Sequence, residues 1–140
     1  MFFPAPSFSP EHVHPILVNF TAALLPTSFA SDVLGRVFRK RSLHDAAYWM
    51  LLFATAITPF TAVAGFLWKR SLGEALPAAA IQTHQWLGIS LAAVFIALAL
   101  WRRDIYSLSE APGYFYLLLA FCAVFALIYQ GTLGGAMVFG

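Results

Sequence analysis

Four long stretches without a charged residue constrain the fold of this chain more than any other feature of its sequence. The uncharged runs cover residues 12–31, 46–68, 75–101 and 111–140. A mostly apolar run of about 18 or more residues is long enough to cross the ~30 Å hydrocarbon layer of a bilayer as a helix. We therefore predict an all-α integral membrane protein, an up-and-down four-helix bundle that forms a single domain over residues 1–140. The expected spans are roughly 15–36, 45–68, 78–101 and 113–135.

The composition agrees with a membrane location. Hydrophobic residues make up 61% of the chain and charged residues 10%, a charged fraction well below that of an ordinary soluble domain. A net charge of +2 offers no basic stripe for a phosphate backbone, which argues against nucleic-acid binding. The apolar runs contain no Ser/His/acid set, carboxylate pair or phosphate-cradling glycine loop, so an independent enzyme is not expected.

Basic residues are distributed unequally between the two ends of the predicted bundle. The loops after spans one and three carry six Lys or Arg residues and the loop after span two carries two: Arg36, Arg39, Lys40, Arg41, Arg102 and Arg103 against Lys69 and Arg70. By the positive-inside rule the first and third loops are cytoplasmic. We therefore expect a multi-pass protein of the bacterial inner membrane, with both termini on the outer, periplasmic side. The connecting loops should be roughly a dozen residues long. Three prolines in residues 1–12 indicate an extended arm.

Two histidines are predicted to lie at the same height near the outer surface. His14 precedes Asp32 by 18 positions and His84 precedes Arg102 by 18, which is roughly 27 Å of helix in each case at about 1.5 Å per residue. Spans one and three run in the same direction and lie diagonally across an up-and-down bundle, so their imidazoles can approach the two faces of a flat macrocycle. Neutral imidazole is a suitable axial ligand of haem iron, and the single cysteine, Cys122, excludes covalent haem attachment. We therefore predict that His14 and His84 bind one haem b.

Other polar or small residues near this height are candidates for the surroundings of the haem. Asn19, Gln82 and Gln85 carry side-chain amides that can hydrogen-bond a ligand imidazole and fix its tautomer. Gly131 and Gly135 form a small-x-x-x-small pair on span four. This spacing allows close approach either by a neighbouring helix or by a planar ring, and both interpretations stay open.

The remaining two histidines rank lower as metal ligands. His12 is two positions from His14 and cannot share its helical face, so we expect a solvated neighbour, with substitution for His14 as the alternative. His44 lies at the cytoplasmic end of span two, where the chain has no second histidine. We therefore expect His44 to be an interfacial residue, and a second bis-histidine haem is excluded within one chain.

Four segments resemble a known family. The run HPILVNF at residues 14–20 resembles the opening motif His-Pro-x-x-Val-His-Phe-Pro of a bacterial four-helix membrane family of unknown function, with Asn19 in place of the motif's second histidine. The run GTLGGAMVFG at 131–140 is similar to the family's closing motif Gly-x-Leu-Gly-Gly-x-x-Val-Tyr-x-x-Gly. The runs HDAAYW at 44–49 and THQWLG at 83–88 fall where the family begins helices two and three. The resemblance implies a four-span protein similar to small b-type cytochrome subunits, which accompany respiratory or redox proteins.

These features favour a haem-binding electron-transfer subunit that exchanges electrons with other membrane or periplasmic redox proteins. The alternative is a cofactor-free structural or assembly subunit of a larger membrane redox or photosynthetic complex, or a subunit that binds a chlorophyll-type pigment through one histidine. A quinone-handling or transport role is disfavoured, because the sequence has neither ionisable residues near the middle of a span nor broken helices in matched halves.

Overall fold

The chain is all-α in its computed structural model, which describes residues 10–72 and 78–139 and the side chains of residues 13–70 and 78–137. Its helices are α1 (Pro10–Phe38), α2 (Arg41–Leu72), α3 (Ala78–Ser107) and α4 (Tyr114–Phe139). Each helix contains a segment that is long and apolar enough to span a membrane. The predicted all-α, four-span architecture is therefore confirmed.

The helices extend beyond the apolar runs from which they were predicted. A helix satisfies its own backbone hydrogen bonds, so the chain stays helical where charged residues carry it out of the apolar layer. α1 begins at Pro10, because a proline in the first turn lacks only an N–H that has no intrahelical partner. The expected extended arm is thus wrong for its last residues, and residues 1–9 lie outside the described part of the chain.

The two connections that the structure describes in full are shorter than the expected dozen residues for the same reason. Residues 39–40 join α1 to α2, and residues 108–113 join α3 to α4. The connection between α2 and α3 includes residues 73–77, which the structure does not describe. Short connections make successive helices antiparallel neighbours.

α1 and α3 end in the same type of cap at the same end of the bundle. In α1 the Lys40 N–H donates to the Gly35 carbonyl at 3.0 Å, and Arg39 between them has a φ of 55°. This is a Schellman motif, whose left-handed position usually holds glycine. α3 ends in the equivalent way, with Ser109 at a φ of 61° and a cap hydrogen bond of 3.2 Å. Two side chains are therefore held at positions that favour glycine.

The four helices form a square. Across the described residues, α1 and α3 each pack against α2 and α4, whereas neither α1 and α3 nor α2 and α4 approach each other closely, as an up-and-down bundle requires. α1 and α2 pack most closely. Their backbones approach through small residues: the Ser28 hydroxyl donates to the Ala47 carbonyl, and the Ser31 hydroxyl donates to the Leu43 carbonyl, both at 2.7 Å.

The bundle has a narrow apolar core and a large apolar exterior. The core comprises Leu25, Leu51, Ala54, Leu91, Phe95, Leu98, Ala99, Tyr116, Ala120 and Ala123. Large apolar side chains such as Phe60, Phe115 and Phe125 are exposed on the outside, and a lipid bilayer is the solvent that suits such a surface. The end that holds the α1–α2 and α3–α4 connections is called the basic end below, and the other is called the His14–His84 end.

Candidate functional site

A buried ion pair joins diagonally opposite helices at the basic end. Arg102 on α3 is 1% exposed and Asp32 on α1 is 2% exposed. The guanidinium donates from Nε to Asp32 Oδ2 at 3.1 Å and from Nη2 to Oδ1 at 3.0 Å. This two-bond fork fixes both the distance and the relative orientation of the two side chains. Because a carboxylate buried without a partner is strongly unfavourable, the pair stabilises the arrangement of α1 and α3 as it stands.

His44 on α2 completes this buried network. Its Nδ1 donates to Asp32 Oδ1 at 2.8 Å, and its carbonyl accepts from Arg102 Nη2 at 2.9 Å. The imidazole lies against Gly35 of α1, where an added Cβ would come within 3.0 Å of the ring. The network therefore connects three helices. The sequence predicts an interfacial His44, whereas the structure places this side chain, 8% exposed, in a buried contact between helices.

Sequence reasoning treated Asp32 and Arg102 only as markers of span ends. A signal for their burial does exist, because Ser28, Asp32 and Gly35 follow the 4- and 3-residue spacing of one helix face. Small and polar residues on one face of an apolar helix indicate close contact with another helix. The sequence does not indicate which residue pairs with Asp32. Arg102 and Arg103 are adjacent, and the sequence does not distinguish the buried arginine from the exposed one.

His14 lies between α1 and α2 at the opposite end. Its Nδ1 is 2.9 Å from the carbonyl of Thr61, and its ring is 5.7 Å from that of Trp68. The imidazole covers Gly65, where an added Cβ would lie 2.8 Å from Cε1. Since a carbonyl can only accept, Nδ1 carries the proton and the lone pair of the neutral ring is on Nε2.

His84 lies between α3 and α4 in a similar setting. The Gln130 amide nitrogen is 3.4 Å from His84 Nε2, a long contact in which the imidazole nitrogen accepts. This contact favours the His84 tautomer whose lone pair is on Nε2. Its Nδ1 is buried and has no hydrogen-bond partner among the residues that the structure describes. The ring lies over Gly134, where an added Cβ would approach Cε1 to 3.0 Å.

The ion pair supports the predicted height of these two histidines. Asp32 and Arg102 are in direct contact, and each lies 18 residues after a histidine on the same helix. Equal helical rise of about 1.5 Å per residue brings His14 and His84 to a similar level at the other end. Each nevertheless contacts a different neighbour, α2 for His14 and α4 for His84.

No side-chain hydrogen bond between described residues joins the other predicted site residues to His14 or His84. Asn19 and Gln82 are exposed. The Gln85 carbonyl oxygen accepts from Lys69 Nζ at 2.7 Å, so its partner is a lysine on α2. Added Cβ atoms at Gly131 and Gly135 would meet nothing within 4 Å among the described residues, so the adjacent Gly134 is the glycine that lies against His84. The His12 side chain lies outside the described part.

The metal-binding potential of the site rests on histidine pairs. Within residues 13–70 and 78–137, no group of three or more His, Cys, Asp or Glu side chains is placed to hold a metal ion. A metal bound by this chain would therefore need few protein ligands and further donors from elsewhere. A porphyrin, which supplies four nitrogens itself, meets that condition with two imidazoles.

Comparison with known proteins identifies a family without an assigned activity. Residues 10–140 match the model of a family described as "Predicted membrane protein (DUF2231)". No curated protein and no solved structure matches the chain.

Proposed function

Because the chain belongs to the DUF2231 family of predicted membrane proteins, we propose that it is an integral membrane subunit that binds one haem b between His14 and His84 and transfers electrons. The observation that carries this proposal is the tautomer of the two imidazoles. The Thr61 contact leaves the lone pair of His14 on Nε2, and the Gln130 contact favours the same tautomer of His84. Nε2 is the nitrogen that commonly ligates haem iron.

The surroundings of His14 suit a ligand. Its Nδ1 is already hydrogen-bonded to the Thr61 carbonyl, which fixes the ring orientation and raises the basicity of Nε2. Gly65 leaves room for the flat ring against α2. The chain thus provides the orientation of this ligand through a backbone contact.

His84 differs from His14, because its buried Nδ1 has no hydrogen-bond partner among the described residues. Its Nε2 faces the Gln130 amide at 3.4 Å, a weak contact that ligation would replace by turning the amide away. The open space at Gly131 and Gly135 lies on this same helix, α4. Haem would supply one-electron redox chemistry, while the helices hold the two ligands and exclude water from them.

The asymmetry of basic residues supports an orientation for this subunit. Six of the eight Lys and Arg residues belong to the basic end and its helix termini, which favours a cytoplasmic basic end in a bacterial inner membrane. His14, His84 and both termini then face outward, toward membrane or periplasmic redox partners. A Ser109→Cys variant in a Cys122→Ala background should react with a membrane-impermeant maleimide only after the cells are permeabilised. Reaction in intact cells would contradict this orientation.

Haem titration of the purified protein tests the cofactor. We expect one haem per chain and a low-spin spectrum that sharpens on reduction with dithionite. His14→Ala and His84→Ala should each abolish or strongly alter the spectrum. His44→Gln is the matched control at the basic end, and it should leave the spectrum unchanged. Loss of the spectrum in His44→Gln alone, or no haem binding by the wild-type protein, would overturn the proposal.

One observation favours a second candidate, a cofactor-free structural subunit of a larger membrane complex. His14 and His84 both make contacts between neighbouring helices, to Thr61 and Gln130. Such contacts stabilise helix pairs in lipid without any cofactor. Gln130→Ala separates the two functions, because it removes a helix contact but frees His84 Nε2. If the Gln130→Ala protein binds haem as tightly as the wild type or more tightly, the haem function is favoured. If the substitution lowers the stability of the protein, and the complex that co-purifies with the wild type contains no pigment, the structural function is favoured. A chlorophyll-type pigment would be recognised by its own absorption spectrum.

A further inference from the structure

A cavity of about 330 Å³ opens at the basic end, far from His14 and His84. It lies between the α1–α2 connection and the α3–α4 connection, and four arginines line it: Arg36, Arg39, Arg41 and Arg102. The acidic residues in its lining are Asp45 and Glu110. Asp32 balances the charge of Arg102 from the buried side. Three arginines then face two carboxylates, which leaves the cavity electropositive.

Arg102 provides the observation that points to a ligand. It lines the cavity and is 1% exposed, yet its Nη1 has no hydrogen-bond partner among the described residues. A buried donor on a charged group without a partner is destabilising. Nε and Nη2 are both used on Asp32 and the His44 carbonyl. An acceptor in the cavity would therefore satisfy the remaining nitrogen.

The other three arginines of the cavity differ in their hydrogen-bond partners. Arg41 Nη1 donates to the Ser109 carbonyl at 2.9 Å, and its Nε lies 3.7 Å from Asp45 Oδ1, so this guanidinium already has partners from two sides. Arg36 donates to the Pro112 carbonyl at 2.8 Å. The Arg39 side chain has no hydrogen bond or ion pair with any residue the structure describes. Arg39 is thus the guanidinium that is available to an incoming anion.

We propose that this cavity binds a phosphate ester, with Arg102 at its base and Arg39 and Arg41 at its rim. Guanidinium forks match the oxygens of phosphate, and several of them converge here from three helix ends. A volume of about 330 Å³ exceeds the needs of a small inorganic anion and accommodates an organic group as well.

Lipid headgroups and soluble phosphate esters share this chemistry, and two assays distinguish the sources. Calorimetry of the full chain in a neutral maltoside detergent uses inorganic phosphate and glycerol 3-phosphate as probes. Native mass spectrometry of the protein from nanodiscs of mixed phosphatidylcholine and phosphatidylglycerol measures retained lipid. Saturable binding of glycerol 3-phosphate supports a soluble ester, and selective retention of phosphatidylglycerol alone supports a headgroup.

Arg39→Gln is the main variant, because its exposed side chain lies outside the buried network. Loss of a charge-assisted contact to the ligand should weaken binding about tenfold. Arg103→Gln removes the same charge at the same end but does not line the cavity, so it should change binding less than about twofold. An equal loss in both variants would overturn the proposal in favour of general surface attraction. Failure of all three probes to bind the folded wild-type protein would overturn it as well.

Discussion

Arg102 and Asp32 form a two-bond ion pair between diagonally opposite helices, and each residue lies 18 positions after a histidine of its own helix. The pair fixes the height of α3 relative to α1 at the basic end. Since both helices rise equally per residue, the same contact sets the relative height of His14 and His84 at the other end. A structural interaction at one end of the bundle thus supports an equal height for the two histidines that we propose as haem ligands at the other.

Replacement of Asp32 should destabilise the bundle severely. Asp32→Asn leaves the Arg102 guanidinium buried without a carboxylate, which should lower the free energy of unfolding by about 3–5 kcal/mol. Asp104→Asn removes an exposed carboxylate near the same end and should change it by less than about 0.5 kcal/mol. Denaturant titrations in micelles, followed by tryptophan fluorescence, measure both. If the two substitutions change the free energy of unfolding equally, the Asp32–Arg102 pair does not hold α1 and α3 together.

Glycine substitutions should separate the glycines that lie against histidines from those that do not. Gly65→Ala and Gly134→Ala place a Cβ 2.8 Å and 3.0 Å from imidazole carbons of His14 and His84. Such overpacking typically costs about 1–3 kcal/mol. Gly131→Ala meets open space among the described residues and should gain up to about 1 kcal/mol of helix propensity.

Thermal unfolding of these three variants in detergent gives the comparison. Under the haem proposal, Gly65→Ala and Gly134→Ala should also weaken haem binding, because they displace the ligand rings. Equal stability of the Gly134→Ala and Gly131→Ala proteins would contradict the assignment of Gly134 as the glycine beneath His84.

The cap of α3 offers a stabilising substitution. Ser109 has a φ of 61°, a conformation that glycine adopts without strain. Ser109→Gly should therefore raise the free energy of unfolding by up to about 1 kcal/mol. Ser107→Gly, at the last helical residue two positions earlier, should lower it by up to about 0.5 kcal/mol. Destabilisation by both substitutions to the same extent, measured by thermal unfolding, would be incompatible with the left-handed cap.

The sequence predicted the architecture well, because the spans depend on composition alone. Uncharged runs identify the segments that cross lipid, and all four correspond to helices. Helix ends were predicted less well: charged residues mark the edge of the lipid but not the end of backbone hydrogen bonding, so α2 begins at Arg41 and α1 at Pro10. For this reason the expected length was too long for the α1–α2 and α3–α4 loops, the two that the structure describes in full.

Side-chain partners depended on helix rotation, which a sequence encodes weakly. The Gly-x-x-x-Gly spacing predicted a close approach at Gly131 and Gly135. The rotation of α4 instead places Gly134 against His84. Likewise, the positions of Asp32 and Arg102 indicated a common level, but only the packing of α1, α2 and α3 brings them into contact. Levels along a helix were thus predictable from counting, and directions around it were not.

Electron paramagnetic resonance of the ferric, haem-loaded protein tests the central claim most directly, since it reports the axial ligands of the iron. The account predicts a low-spin signal of bis-imidazole type in the wild-type protein. His14→Ala and His84→Ala should each convert it to a high-spin signal, and His44→Gln should leave it unchanged. A low-spin signal that survives both alanine substitutions, or a high-spin signal in the wild-type protein, would contradict ligation by these two histidines.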